Sequence, residues 1–361
     1  MMKILILTRY GRLGASSRVR FLQYRPYLEE AGMRVTVQPL LSDEMLRLRY
    51  AQGYYPIVAL VAAYWQRCRA LMRCGDFDVV WIEKEALSWW PLWLESLLLR
   101  RAVYVLDYDD AVFLTYEMHR RAWIRRWFGR RLGQLMARAA LVIAGNDYLA
   151  DYARRHGASR VTVVPTVLDL ARYSSSGGAG RTPVRTDPPR IVWIGSPATV
   201  HYLCLLAAPL RVLAQRTSFV LRIIGGGEIH MPGVPTELVS WSEDGEVDAI
   251  AACDVGIMPL LDSPWERGKC GYKLIQYMAC GLPVVASNVG VNPQIVQNDV
   301  NGFIASSDDE WIVALQRLLC DHSLRLRLGL AGRQRVERDY CVQQTGPRVA
   351  SLLRSVVEGA G

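Results

Sequence analysis

Residues 254–302, DVGIMPLLDSPWERGKCGYKLIQYMACGLPVVASNVGVNPQIVQNDVNG, decide how the chain is read, because strand, polar loop, helix, strand and loop follow one another with a residue-level reason at each boundary. Residues 255–260 form a short apolar run ended by Pro259 and the turn formers Asp262 and Pro264. That pattern predicts a buried parallel strand that delivers its loop to a ligand-binding edge. The loop carries Glu266, Arg267 and Lys269. From Gly271 the pattern turns helical, and Gly281 followed by Pro283 stops it. With about 100° between successive residues, Lys269, Lys273, Gln276 and Cys280 share one face, and Leu274, Ile275 and Met278 lie opposite. The apolar face is expected to pack on a sheet while the other presents two ammonium groups and an amide. Lysines at a helix N-terminus, where free backbone N–H groups already favour anions, point to a phosphate site. The competing reading is two solvated charges on a surface helix, the common fate of charge runs. The PVVAS strand that follows and the glycine-rich flanks favour the phosphate site.

Composition allows such a site to sit on a large core. With 361 residues, 51% hydrophobic and 21% charged, the chain is globular and long enough for two domains. No apolar run reaches the roughly 18 residues needed to span a bilayer, and MMKILILTRY lacks the regions of a signal peptide, so the expectation is a cytoplasmic protein. The eight cysteines include no C-x-x-C pair and read as reduced core thiols rather than disulfides or zinc ligands. The net charge of +9 is concentrated: between Met118 and Asn146 stand Arg120, Arg121, Arg125, Arg126, Arg130, Arg131 and Arg138, with Trp123, Trp127 and Phe128 among them and no acidic residue. That segment suits an anionic inner-membrane surface; the alternative is a solvated helix with its tryptophans packed inward. No nucleic-acid module is recognisable, and no nucleic-acid partner is expected.

Along the chain, residues 3–8 predict a strand, RYGRLGASSRVR a loop with Gly11 and Gly14, and Ser16 or Ser17 a helix cap, the helix ending at Gly32 before a strand over 33–40. This opening resembles a dinucleotide-type unit, but G-x-x-G is not the full fingerprint and no acidic residue closes the second strand. Residues 44–73 read as helical, with core packing accounting for many of their aromatics. Strands over 77–83 and 102–107 flank the helix LSWWPLWLESLLL, and the second ends in the carboxylate cluster Asp107, Asp109, Asp110. Strands over 141–144 and 161–164 complete a first doubly wound domain, 1–173. Residues 174–189, SSSGGAGRTPVRTDPP, read as a linker. The alternation restarts in a second domain, 190–340, with strands over 190–194, 219–224 and 239–242, and a final helix over 341–361 is expected to pack back on the first domain. The predicted fold is α/β, two Rossmann-like doubly wound domains facing a cleft.

These residues resemble the retaining glycosyltransferases of family 4, whose two-domain arrangement is called GT-B. The resemblance is carried by DVGIMPL, GKCGYKLIQYMACGLPVVAS and NDVNGFI in the second half. In the first half GASSRVRFLQYRPYLEEAG, LDYDDAVF at 106–113 and VIAGNDYLADYARRHGASRVTVVPTVLD also look like a bacterial subgroup that builds surface polysaccharides. The resemblance implies transfer of a sugar from a UDP- or GDP-sugar, bound mainly by the C-terminal domain, to a saccharide acceptor, lipid-linked in that subgroup, held mainly by the N-terminal one. It implies no cofactor and no divalent metal requirement. Two alternatives stay open: a nucleotide-sugar epimerase of the same fold, and a catalytically weak nucleotide-sugar-binding subunit. The second is motivated by a departure. The family commonly carries glutamates eight positions apart, and here those positions hold Gly268 and Gln276. Gln276 keeps hydrogen-bonding capacity without charge. Glu266 stands two residues from the earlier position, and the basic residue usual after the first C-domain strand is missing from the loop Gly195, Ser196, Pro197, Ala198, Thr199.

Departure of a nucleoside diphosphate builds charge on the phosphates, so preorganised cations and N–H donors are required there. Lys269, Lys273, the helix start at Gly271 and Tyr272, the Gly11 to Gly14 loop and Arg18 are candidates, with Lys269 also a catalytic one. Gly195, Ser196 and Glu266 complete the donor set, ribose is placed near Gln276, and Trp241 is a candidate to stack on the base. Asp109 and Asp110 read as orienting sugar or acceptor hydroxyls, as metal ligands, or as structural caps, and His119 as a nearby polar active-site group.

Overall fold

Two runs of short apolar segments, the central ones buried on both faces, build two six-stranded parallel sheets. The computed structural model describes residues 1–173 and 187–359, so the expected linker lies outside the described residues except for its last three positions. The first sheet contains β1 (Lys3–Tyr10), β2 (Arg34–Leu41), β3 (Val79–Glu83), β4 (Tyr104–Tyr108), β5 (Leu141–Ala144) and β6 (Val161–Val163), in the order β2-β1-β3-β4-β5-β6. The second contains β7 (Arg190–Ile194), β8 (Val220–Ile224), β9 (Thr236–Val239), β10 (Val255–Met258), β11 (Val284–Ser287) and β12 (Gly302–Ala305), in the order β12-β11-β10-β7-β8-β9. Each sheet reverses its winding beside its first strand, between β1 and β3 and between β7 and β10. Ligands of open parallel sheets bind outside the strands' carboxyl ends at such a reversal.

The chain divides into unit 1 (Met1–Val167, Gly268–Cys270 and Val342–Gly361) and unit 2 (Leu168–Arg267 and Gly271–Cys341). In unit 1 the final helix, Val342–Glu358, buries Val349, Leu353 and Val356 with Phe21, Tyr24 and Leu28 against one face of the sheet. Leu71, Leu99, Leu135 and Leu149 build the core on the other face. The boundary after residue 173 moves: Leu168 bridges Cys341 and the Arg333 guanidinium donates to the Tyr173 carbonyl, so residues 168–173 belong to unit 2. The strand expected at 239–242 lies at Thr236–Val239, ending before Trp241.

Expected helical content over 44–73 divides at Gly53, which takes φ +83 where a side chain would be strained, into Asp43–Gln52 and Ile57–Met72. Tyr50, Tyr54 and Trp65 point to solvent rather than into the core. The helix after Gly14 is short, Ala15–Arg20, and neither serine caps it; Ser17 instead donates to Glu83 at 2.6 Å.

Unit 2 depends on one wedge. β7 and β10 pair only at Ile191↔Val255 and Val192↔Gly256, and beyond that the strands part. The hydroxyl of Tyr277, a fully buried residue of helix Tyr272–Ala279, fills the split: it accepts from the Ile194 N–H at 3.0 Å and donates to the Ile257 carbonyl at 3.4 Å. Gly256 makes room, since a Cβ there would lie 2.3 Å from the Tyr277 ring. Tyr277→Phe is expected to leave both backbone groups buried and unpaired and to cost about 1–3 kcal/mol, measurable by urea unfolding.

Candidate active site

At the winding reversal of unit 2, β7 runs into Gly195 and Ser196 and β8 into Gly225. A Cβ on Gly195 would lie 2.4 Å from the Trp193 ring, and one on Gly225 would lie 2.7 Å from the Gly195 carbonyl. The glycines therefore let two strand ends approach closely. Trp193 lies under this edge, buried, and the Lys273 ammonium stands 5.4 Å from its ring centroid. Lys273 sits in the first turn of helix Tyr272–Ala279, whose cap Gly271 takes φ +65 and has Ile295 where a Cβ would be. Tyr272 is half-buried beside it. Trp241 is half-buried as well, and its indole N–H donates to Glu246 at 2.8 Å, fixing the ring beside Gly225. Glycines, an amphipathic aromatic and a lysine thus surround the strand ends where a nucleotide can lie.

Two expectations change here. Gln276 and Cys280 are not presented with the lysines: both are buried, and the Gln276 amide donates to the Tyr173 hydroxyl at 3.4 Å. The helix is embedded on all sides from Leu274 to Ala279. Glu266 is also buried, its carboxylate accepting from the Tyr202 and Ser263 hydroxyls. That engagement makes it a brace for the loop after β10.

Unit 1 holds the carboxylate cluster. Asp107 is buried with Arg20 at 2.8 Å, and Arg20 also donates to the Val164 carbonyl. Burial pushes the Asp107 carboxyl up to about 7 against the pull of Arg20. Asp109 pairs with Lys84 at 2.9 Å; burial would raise its pKa, but Lys84 and Ser16 outweigh burial and hold it below the ordinary value. Lys84 takes φ +63, an uncommon conformation for a side-chain residue. Asp110 is half-buried at the same strand end. Among the described residues no three His, Cys, Asp or Glu side chains gather as metal ligands.

In the Gly11 to Gly14 loop three N–H groups are already engaged: the Asp43 carboxylate accepts from Arg12 at 3.2 Å and Leu13 at 2.9 Å, and Gly14 donates to the Gly11 carbonyl at 3.2 Å. Arg18 is buried with its guanidinium donating to the Arg12 carbonyl. His119 Nδ1 accepts from the Arg121 N–H at 3.1 Å, and its ring lies 5.9 Å from Trp89, in an aromatic cluster with Tyr116 and Phe128. Trp89, at φ +65 and 45% exposed, is a surface feature that no motif announced.

Lys269 stands before the helix, not on it. It belongs to the three-residue segment Gly268–Cys270 counted with unit 1, where the Asn146 amide donates to the carbonyls of Gly268 at 3.0 Å and Lys269 at 3.1 Å. The Cys270 thiol donates to the Asp109 carbonyl at 3.1 Å, and burial pushes its pKa up to about 12.

The basic segment is divided. Arg120, Arg121, Arg125, Arg126 and Arg130 are exposed, and Trp123 and Trp127 point outward at 55% and 78% exposure, against the inward-packing alternative. Arg131 is removed from that surface. It is buried, holding Glu85 and Glu95 together.

Comparison with known proteins fits this geometry. Residues 6–166 match the family described as "Glycosyl transferase 4-like domain", and residues 188–321 match "Glycosyl transferases group 1". The chain belongs to the family 4 glycosyltransferases. Among curated relatives, the D-inositol 3-phosphate glycosyltransferase of Xylanimonas cellulosilytica is 28% identical over 57% of this chain and 55% of its own. The GDP-mannose-dependent monoacylated alpha-(1-6)-phosphatidylinositol monomannoside mannosyltransferase of Corynebacterium glutamicum is 28% identical over 42% and 43%. The chain thus spans about half the length of the curated relatives it matches. The structure of Anabaena HepE in complex with UDP-glucose superposes with a TM-score of 0.71 at 16% identity, covering 98% of this chain and 100% of that one, which shows the GT-B fold.

Within the family 4 pattern, the missing glutamate at 268 has a steric cause. A Cβ on Gly268 would lie 2.6 Å from the Ala111 Cβ and 2.8 Å from the Ala111 nitrogen. Gly268→Glu is expected to destabilise the protein by about 1–3 kcal/mol through overpacking, read as a lower melting temperature. The Arg131 triad yields a pH test. One guanidinium faces two buried carboxylates, and burial raises Glu95 from its ordinary 4.5 to about 7, Arg131 opposing and Glu85 adding to the rise. The folded state then binds the proton more tightly than the unfolded one, so this stabilisation is complete below pH 4.5 and is lost as pH rises through about 7. Glu95→Gln is expected to flatten the decline of melting temperature between pH 5 and about 7.5.

Proposed function

We propose that the chain is a retaining glycosyltransferase that moves a sugar from a UDP- or GDP-sugar to a saccharide acceptor, lipid-linked, in the building of a cell-surface polysaccharide. The observation that carries this reading is the unit 2 strand edge, where Gly195, Gly225, Trp241 and Lys273 surround the winding reversal of a parallel sheet. There the diphosphate lies against Lys273 and the start of its helix, with Ser196 beside it, and Trp241 stacks on the base. As the glycosidic bond to the nucleotide breaks, the charge that accumulates on the β-phosphate is stabilised by Lys273. Asp109 and Asp110, at the β4 edge of unit 1, orient acceptor hydroxyls, Asp109 being kept ionised by Lys84. His119 serves as a further polar group of the acceptor side.

No divalent ion is required in this reading, because the Asp107 and Asp109 carboxylates already answer to Arg20 and Lys84. The exposed arginines at 120, 121, 125, 126 and 130 meet anionic lipid at the cytoplasmic face of the inner membrane, where a lipid-linked acceptor resides.

A second reading, a nucleotide-sugar-binding subunit with little transfer activity, is favoured by Gly268 and the buried Gln276, which leave no carboxylate at either family position. Thermal-shift titration against UDP, GDP, UDP-glucose and GDP-mannose is the test, the last two taken from the names of similar proteins. A nucleotide-dependent rise in melting temperature, unchanged by EDTA and reduced about tenfold in affinity by Lys273→Ala, is expected, a loss of about 1.4 kcal/mol. No shift with any nucleotide would defeat the donor reading. A shift without hydrolysis of the sugar or transfer to any lipid-linked acceptor would favour the binding subunit.

A further inference from the structure

The helix Ile57–Met72 turns apolar side chains both ways. Its inner face buries Ala63 and Leu71 and the Arg67 guanidinium, which donates to the carbonyls of Gln38 and Ala86. Its outer face leaves Ile57, Val58, Val61 and Trp65 between 59% and 83% exposed. Large apolar side chains grouped on one unpartnered helix face mark an interaction site.

Three observations identify the occupant. Residues 45–75 contain no acidic residue, while Arg47, Arg49, Arg69 and Arg73 are exposed, and the Arg69 guanidinium lies 4.7 Å from the Trp65 ring centroid. The face therefore pairs an apolar half with a cationic end, as an interface between hydrocarbon and anionic headgroups requires. Secondly, among the described residues every tryptophan more than a third exposed lies in unit 1: Trp65, Trp89, Trp90, Trp93, Trp123 and Trp127. Tryptophan prefers the bilayer interface, where its ring is apolar and its N–H is wet. Thirdly, the helix packs on Leu92–Leu99, which packs on Arg131–Ala137, which packs on the Ala122–Phe128 helix that bears Trp123, Trp127 and exposed arginines. One helical layer thus carries both patches. A second copy of the chain is the poorer occupant, because it would set these arginines against arginines with no acid on either patch. No helix among the described residues is long and apolar enough to cross a membrane, so the contact is one of docking.

We propose that helix Ile57–Met72 is a membrane-docking element whose outer apolar face enters the interfacial layer of an anionic bilayer while Arg69 and Arg73 meet lipid phosphates. It rests on the lipid-contact part of the proposed function and adds an apolar anchor to an otherwise electrostatic one. The full chain is floated with phosphatidylcholine vesicles and with vesicles in which phosphatidylglycerol replaces about a third of the lipid, a fraction chosen to give a strongly negative surface. Binding to the anionic vesicles that persists at high salt is expected, and Ile57→Gln with Val61→Gln and Trp65→Gln is expected to lower the partition coefficient at least about tenfold. Flotation of that variant equal to the unaltered chain would overturn the proposal, as would lipid-free dimerisation abolished by the same substitutions. The nucleotide-induced thermal shift serves as the control. If it is retained in the variant, the fold is intact; if it is missing in the unaltered chain while flotation persists, the donor reading fails and the docking element stands.

Discussion

The hydroxyl of Tyr277 occupies the one place in unit 2 where a parallel sheet must open. Backbone N–H and C=O groups buried without partners are costly, and the end of β7 separates from β10 only because a side chain replaces the missing ladder bonds. Gly256 yields its volume to the ring, and the helix that supplies Tyr277 is thereby set beside the opened edge. The same helix brings Lys273 over Trp193. Position of the cation and opening of the sheet are thus two results of one packed residue.

Unit 1 handles charge by burial and pairing. Arg20 with Asp107, Lys84 with Asp109 and Arg131 with Glu85 and Glu95 bring four carboxylates and three cations into the strand ends and the layer behind them. Breaking such pairs strands a buried charge, so the strand-end geometry is specified tightly. The consequence for chemistry is a division of labour: Asp107 is a strut, and Asp109 is a carboxylate kept ionised at a strand edge.

Legibility differed by residue. The period and punctuation of residues 254–302 placed β10, the helix and β11 within a few positions, and the strand at 3–8 was equally plain, because runs buried on both faces leave little ambiguity. Gln276 was misjudged: helical phase places it beside Lys273, but phase says nothing of the residues 168–173 that return to cover it, as the Tyr173 hydroxyl does. Arg131 looked like its six neighbouring arginines, and only the approach of Glu85 and Glu95, distant in sequence, separates it from them. The Gly11 to Gly14 loop read as an anion cradle and is one, but its anion is Asp43.

The sequence by itself determined the two doubly wound units, the family, and the set of candidate residues for a phosphate site, since these follow from local periodicity and contiguous motifs. The tertiary structure decided which of those residues remain available. Burial, ion pairing and the reach of one side chain across a split sheet are properties of segments brought together from far apart, so the stretch at 254–302 announces a lysine-bearing helix, whereas only packing shows that Gln276 is buried while Lys273 stands beside the Trp193 ring.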